Sequence, residues 1–496
     1  MTSQVVGRGK QKPAQAGGAH ITKMDFTYPG VYIEEVESGV RPIASASTST
    51  AAFIGQTAKG PAKEPKLIFK WADYKDWFGV GDTVIPEPSQ EILDLRKEAE
   101  EAAKAVKGAA SAAAAAAEAA REALASAKSA AEDEDASDAD VATAAKIAAK
   151  AVAAAKKTAE DLAEAETAEA EAKAKVKAAE AEVEQPDAMW PAVYTFFLNG
   201  GGAAYIVKVE NDADYVDAFA SLVKIRDISI ICLPGKPWNT ENTGIIGTAI
   251  SHADDMENRM VIVDLPENTE LTDPASVTKL NLPSSPFSVT YYPWVEVANP
   301  FGSGTLKIAP SSFAAGMWAK IDGRRGVWKA PAGVETSLLG VAGLADNVDD
   351  NLQGQLNPLG INCIRKIPGA GPVIWGTRTL SVKAQPEWLY VPVRRTANMI
   401  RESIYNNIQW AVFEPNDHRL WSSLRVNIDA FMNGLWRAGA FQGEKADDAY
   451  FVRCNLGDTM EQSDIDLGKV IVEVGFAPLK PAEFVIVRIQ QKVAQQ

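Results

Sequence analysis

A few stretches of this chain carry residue types that could do chemistry. Gly200-Gly201-Gly202 lies between two core-like segments, and a glycine run can cradle a phosphate with its amides. It lacks the G-x-G-x-x-G or G-x-x-x-x-G-K-[ST] spacing that aims several amides and a lysine at one anion, so it reads as a tight turn. Gly7-Arg8-Gly9-Lys10 is cationic but follows no strand, which makes it an electrostatic tail. His252-Ala253-Asp254-Asp255 offers metal-type donors, yet His20 and His418 are remote in sequence. A solvated helix end is the expectation there. Ser311-Ser312 and Ser422-Ser423 have no Gly-x-Ser-x-Gly elbow, and neither is named as a nucleophile. Cys232, Cys363 and Cys454 are an odd number without a C-x-x-C, each beside apolar neighbours; they read as buried thiols and not as a disulfide framework or zinc site. Asp322-Gly323-Arg324-Arg325-Gly326-Val327-Trp328-Lys329-Ala330-Pro331 reads as a loop with paired cations and a tryptophan, either an exposed contact loop or a buried turn. No catalytic residue, metal ligand or cofactor is expected.

The bulk of the chain agrees with a large protein that binds neither nucleic acid nor lipid. At 496 residues it exceeds the ordinary domain, so several cores and a discontinuous domain are expected. With 46% hydrophobic and 23% charged residues it falls in the globular range. The net charge of -15 repels phosphate backbones. No apolar run is long enough to insert in a membrane, and the first twenty residues lack the apolar stretch of a secretory signal. Synthesis in the cytoplasm without a signal peptide is the expectation.

The elements follow from local pattern. Residues 1–20 show no periodicity and read as a flexible arm. Tyr28-Pro29-Gly30 introduces a short strand at 31–36, and Thr50-Ala51-Ala52-Phe53-Ile54-Gly55 enters a core strand. From about 91 to 184 alanine dominates and proline is absent. Alanine is the best helix former, so a helix is favoured over a disordered spacer. Glu132-Asp133-Glu134-Asp135 interrupts it near the middle, which predicts a helical hairpin whose arms return the chain to its point of departure. Apolar runs at 203–209, 228–233 and 260–265 predict buried strands in an α/β layer. A helix is expected from Ala397, capped by Thr396, with Met399, Ile400, Ile404, Ile408, Ala411 and Val412 on one face. A second follows Asn416-Asp417, with Leu420, Leu424, Ile428, Phe431, Met432 and Leu435 on its stripe and Arg419, Ser422, Arg425 and Asp429 largely off it. Strands at 470–476 and 484–489 close the chain.

Several of these stretches, in this order, resemble the contractile tail sheath proteins of myophages, R-type bacteriocins and extracellular injection systems. They are Tyr28-Pro29-Gly30-Val31-Tyr32-Ile33-Glu34-Glu35-Val36, Phe197-Leu198-Asn199-Gly200-Gly201-Gly202, Leu356-Asn357-Pro358-Leu359-Gly360, Val391-Pro392-Val393-Arg394-Arg395, Phe413-Glu414-Pro415-Asn416 and Leu435-Trp436-Arg437-Ala438-Gly439. The alanine-rich stretch departs from that pattern. The resemblance implies a multidomain α+β fold: an inner α/β sheath core domain with inserted outer domains, here also carrying the alanine-rich helical hairpin insertion. The expected partition is a flexible arm at 1–20, a linker strand at 21–45, outer α/β domains at 46–360 with the hairpin at 91–184, and an inner domain at 361–496.

It implies a structural subunit and not an enzyme, one that polymerises around a rigid inner tube and contracts to drive the tube through an envelope. Val31, Tyr32 and Ile33, with Val485, Ile486, Val487 and Ile489, would be the strands that link subunits. Arg419, Arg425 and Asp429 would face the tube. Its partners would be further copies of itself, the tube protein, and baseplate and tail-terminator proteins, within a virion tail or another contractile particle. An enzyme borne on a filament would need a converging set of groups that is missing here, and a tube or adhesin subunit would be shorter.

Overall fold

The computed structural model describes residues 41–80, 90–133, 137–182, 188–300, 305–381 and 385–483. Its strands, in chain order, are β1 (Thr50–Gly55), β2 (Lys66–Ile68), β3 (Ala203–Lys208), β4 (Ile228–Cys232), β5 (Met260–Val263), β6 (Ser288–Tyr292), β7 (Val295–Ala298), β8 (Thr305–Ile308), β9 (Val341–Leu344), β10 (Ile361–Ile367), β11 (Gly371–Ile374), β12 (Tyr450–Arg453) and β13 (Glu473–Phe476). The helices the argument uses are α1 (Trp71–Phe78), α2 (Gln90–Glu132), α3 (Asp138–Glu182), α4 (Met189–Leu198), α5 (Asp214–Leu222), α6 (Thr243–Met256), α7 (Pro274–Lys279), α8 (Pro310–Arg325), α9 (Asp350–Leu356), α10 (Val391–Asn407) and α11 (His418–Arg437). The protein is a mixed α+β molecule.

Eight strands form one sheet in the order β11-β10-β6-β5-β4-β1-β3-β2. The six strands between β10 and β3 run parallel, and β2 and β11 cap the two edges in the antiparallel sense. Period-two geometry explains why these strands look uniformly apolar. In β1, Ala51 and Phe53 enter the core beneath α1, α4 and α8, whereas Ala52 and Ile54 enter the opposite core beneath α5 and α6. In β5, Met260 and Ile262 are divided from Val261 and Val263 in the same way. Both faces are dry, so no polar alternation remains to be read.

The chain's largest hydrophobic core is centred on α8, which buries most of its circumference. Gly316 makes this possible: a Cβ there would lie 2.6 Å from the Phe196 carbonyl oxygen of α4. Beyond the sheet, β7 pairs with β8 and β9. The C-terminal part joins α10, α11 and the β12–β13 pair around Met399, Ile428, Met432, Phe441 and Tyr450.

The two long alanine-rich helices, α2 and α3, lie against each other, and Lys175 Nζ of one is 3.4 Å from Glu98 Oε1 of the other. At 1.5 Å per residue each is about 65 Å long. Ala120, Ala148 and Ala172 are their buried positions among the described residues.

Several expectations are corrected. α10 begins at Val391 and not at Ala397, because Pro392 occupies its first turn, where a missing N–H costs nothing. Thr396 is therefore internal and donates to the Pro392 carbonyl at 2.7 Å instead of capping. The helix stops at Asn407, which leaves Val412 exposed rather than on a packed face. Asp322 to Arg325 are the last turn of α8, not part of a loop. The strand expected at 470–476 is confined to Glu473–Phe476. His252-Ala253-Asp254-Asp255 is the last turn of α6 with both aspartates exposed, as expected of a helix end, but His252 itself is turned inward and only 8% exposed. The expected arm at 1–20, the strand at 31–36 and the strand at 484–489 lie outside the described residues.

Candidate functional site

An open parallel sheet places ligands where the strand order reverses, beyond the carboxyl ends of the strands on either side. Here the order reverses at β1, flanked by β3 and β4. Beyond those strands the crevice is filled by the start of α4: a Cβ on Gly55 would lie 2.9 Å from Met189 Cε, and one on Gly235 would lie 3.4 Å from Ala188 Cβ. One strand further along, Asp264 follows β5 and is buried. It accepts from the Ser311 amide at 3.0 Å and from Ser311 Oγ at 2.5 Å. Asp264 thus caps α8, whose own Ala309 supplies no side-chain cap. Burial pushes its pKa up to about 7, against the opposing effect of the Ser311 hydrogen bonds.

The other reactive types are occupied in similar ways. Burial, with Arg259 beside it, lowers His252 to about 4, and its Nε2 lies 3.1 Å from Arg259 Nη1. Cys232, Cys363 and Cys454 are free and buried. Ser312 shares a 2.8 Å hydrogen bond with Thr195 where α8 meets α4. Gly200 has φ of +111°, in the turn that the glycine run implies. Among the described residues no group of three His, Cys, Asp or Glu side chains could hold a metal ion, and no helix is long and apolar enough to cross a membrane.

What the structure does build is a polar seam holding α10 to the sheet. Arg395 pairs with Asp322 through two contacts of 3.0 and 2.5 Å, donates to the Thr48 carbonyl at 2.8 Å, and lies over the Trp318 ring at 4.4 Å. Glu402 accepts from Arg226 Nε and Nη2 at 2.8 and 2.7 Å and from Asn258 at 3.1 Å. Arg394 sits between Phe287 and Trp388, and burial lowers its pKa to about 10. In the sequence, Arg394-Arg395 could be singled out only by resemblance. Asp322, the partner of Arg395, lies 73 residues away, where no local spacing points.

The expected assembly residues divide. Val31, Tyr32, Ile33, Val485, Ile486, Val487 and Ile489 lie outside the described residues. The β12–β13 pair is a two-stranded sheet, so each strand has one partner strand among the described residues. On α11, Arg419 and Asp429 are exposed, whereas Arg425 is half-buried. Arg425 donates to the Cys454 carbonyl and, at 3.1 Å, to Ser422 Oγ, so it helps tie α11 to the segment after β12. Asp429 accepts from the Tyr450 hydroxyl at 3.2 Å.

Comparison with known proteins agrees with this picture of a chain built for packing. Residues 208–380 match the phage tail sheath protein central domain, and residues 383–492 match the phage tail sheath C-terminal domain. A prophage major tail sheath protein of Pseudomonas aeruginosa (strain UCBPP-PA14) is 25% identical over 240 residues, 48% of this chain and 59% of that protein. The chain thus spans less than two thirds of that relative. The anti-feeding prophage (AFP) helical sheath in contracted state is similar at 27% identity and a TM-score of 0.62, covering 94% of this chain and 99% of that one. The sheath complex of the extracellular contractile injection system PVC, also in contracted state, gives 26% and 0.61, covering 94% and 98%. With both family domains matched in order and the fold shared along nearly its whole length, this chain belongs to the phage tail sheath family.

Proposed function

We propose that copies of this chain polymerise as a helical sheath around a rigid inner tube and contract to drive the tube through a target envelope. The observation that carries this reading is likeness over 94% of the chain to a helical sheath in contracted state. The work of the stroke comes from repacking between a metastable extended lattice and a contracted one, with no nucleotide and no catalytic step. The partners are further copies, the tube, and baseplate and terminator proteins at the ends, in a virion tail or another contractile particle.

The linking strands are Val31–Ile33 and Val485–Ile489 of neighbouring copies, and β12–β13 is the receiving sheet, extended by main-chain hydrogen bonds. The junction between outer and inner parts falls near 381–385 instead of 360. Continuity of the sheet through β10 and β11, and the family boundary at 383, support that position. The inner part runs from there to 496, with the linker strand at 21–45, and the outer part is inserted between them. α2 and α3 form a hairpin inserted into the outer part and directed away from the tube. Of the tube-facing candidates, Arg419 and Asp429 keep that role, and Arg425 positions α11.

Electron microscopy of the full chain and of two truncations tests the mesh. Deletion of residues 1–36, or of 484–496, is expected to leave folded protein that makes no tubular sheath. Sheaths of ordinary length from either truncation would remove the linking strands from the reading. Arg419→Glu should weaken assembly on tubes most at low salt, where screening is least; equal assembly at low and high salt would move the tube contact elsewhere.

A further inference from the structure

The turn between α10 and α11 carries the most exposed large apolar side chain among the described residues. Phe413 is 102% exposed, and Val412 beside it is 56% exposed. Phe413 also holds φ at +70°, a conformation that bulky residues avoid. The turn is nonetheless fixed. The Glu414 amide donates to the Ala411 carbonyl at 3.3 Å, and the Asp417 amide to that of Pro415 at 2.9 Å. Asn416 accepts from Trp421 Nε1 at 2.8 Å and donates to the Lys469 carbonyl at 3.0 Å. A strained, well-tied backbone that presents an aromatic ring to solvent is built for a contact the isolated chain does not make.

The same chain carries a fitting receptor. A groove of about 960 Å³ is lined by Trp328, Trp375, Leu479 and Pro481, with the cations Lys329 and Lys480 in its walls. Roughly 150 Å³ suffices for a benzene ring, so the groove has room for a phenyl group and the backbone carrying it. The charges also match, since Glu414 follows the presented ring and the groove's cations Arg325, Lys329, Arg365 and Lys480 outnumber its carboxylates Asp350 and Glu483.

Knob and groove lie at opposite ends of one helix pair. At its first residue α10 is tied to the groove, where the Val391 amide donates to the carbonyl of the lining residue Thr377 at 2.9 Å. α10 then runs to the knob. α11 returns and ends at Arg437, beside the lining residues Ala438 and Gly439. These helices of 17 and 20 residues hold the two features about 25–30 Å apart. A surface that fits a different surface of the next copy makes a heterologous contact, and repeating it without closure generates a helix.

We propose that the Phe413 turn of one copy seats in the Trp328–Trp375 groove of the next, as a head-to-tail contact separate from the linking strands. The inference rests on the sheath reading, and the experiment separates the two. In the full-length chain, the double variant Phe413→Cys with Lys480→Cys is assembled and oxidised. The native cysteines are buried. Within one copy the new thiols are too far apart to bridge. A ladder of covalent multimers is expected from the double variant and none from either single variant. Phe413→Asp is expected to abolish sheaths while its melting temperature stays within about 2 °C of the parent, because the ring contacts solvent.

If the parent forms sheaths and Phe413→Asp forms them equally well, the knob is wrong and the sheath reading stands. A covalent dimer from Phe413→Cys alone would mean a two-fold contact and overturn the head-to-tail arrangement. Sheaths of the double variant that oxidise without a ladder would assign Phe413 to the tube, or the groove to the segments at 1–40 or 484–496, and would overturn the proposal. A parent chain that forms no tubular polymer would remove the sheath reading and this inference with it.

Discussion

The eight-stranded sheet and the α2–α3 pair stand at opposite ends of how a sequence can specify structure. In the sheet, Phe53, Ile230 and Ile262 are almost fully buried, and each strand is held by what lies above and below it. In α2 and α3 none of the described larger apolar side chains is fully buried, and Leu93, Leu124, Ile147 and Val152 are between 43% and 59% exposed. Those helices depend on alanine's propensity and on exposed pairs four residues apart, such as Glu100 with Lys104 at 2.9 Å. Each such pair contributes only a few tenths of a kcal/mol. One region is therefore cooperative and intolerant of change, and the other is a sum of small local terms.

The largest expected effect falls where α8, which packs on the sheet, is joined to α10. Asp322 and Arg395 have side chains 5% and 3% exposed, so Asp322→Ala leaves a buried guanidinium unpaired. A loss of about 3–5 kcal/mol is expected in chemical denaturation, read from the sheet's transition. Asp322→Asn, which keeps one acceptor, should lose less. Equal losses would show that the lost charge, and not the hydrogen-bond acceptor, carries the effect.

The second effect is a pH dependence. Asp264 has a pKa of about 7 in the folded protein against an ordinary 3.8. The folded state holds that proton more tightly than the unfolded chain, so the stabilisation is complete below about pH 4 and lost as pH rises through 7. At about 1.4 kcal/mol per pH unit, the loss is at most about 4 kcal/mol. His252 acts in the opposite sense: its pKa is depressed to about 4, and its contribution is full above 6.5 and lost as pH falls toward 4. Thermal melts of Asp264→Asn and the parent from pH 4 to 8 cancel the histidine and isolate the aspartate. The variant's advantage should grow with pH, and a constant difference would mean that Asp264 does not titrate there.

How much of this was legible follows from the same contrast. The strands at 203–208, 228–232 and 260–263 and the stripe of α11 were readable because burial imposes one residue type over a run. The start of α10 was misread because Pro392 breaks a helix interior but suits its first turn. Val470, Ile471 and Val472 look like a strand, yet Val470 and Val472 pack against the core around Leu420 and Trp421 without joining the ladder. The pairs Arg395–Asp322 and Arg226–Glu402 could not be read, because their spacing is set by the completed fold. Phe413 was legible as part of a motif but not as an exposed knob, since neither its φ nor its exposure leaves a local signature.

The smaller effects belong to the alanine-rich pair. Ala114 is exposed within α2, so Ala114→Gly should cost about 1 kcal/mol of local helix stability, seen as faster amide exchange around it with the sheet's transition unmoved.

Removing 91–184 altogether and closing the gap with a short Gly/Ser linker takes the comparison to its limit. Among the described residues the segment's buried positions are alanines, so its loss uncovers little large apolar surface there. The start of α4 must be kept, because Met189 and Trp190 belong to the sheet's core. Replacing a long connection by a short one changes loop-closure entropy by only about 0.6 kcal/mol per halving of length, so the sheet's melting transition should stay within a few degrees. The isolated segment should be markedly helical by circular dichroism at low temperature, since helices of 43 and 45 residues far exceed the roughly 15 at which isolated helices become marginal. A coil spectrum would mean that the helices are imposed by the rest of the fold and would dissolve the contrast between the two regions. If the excised protein keeps its melt but forms no sheath, the pair is a strut between subunits rather than an external decoration.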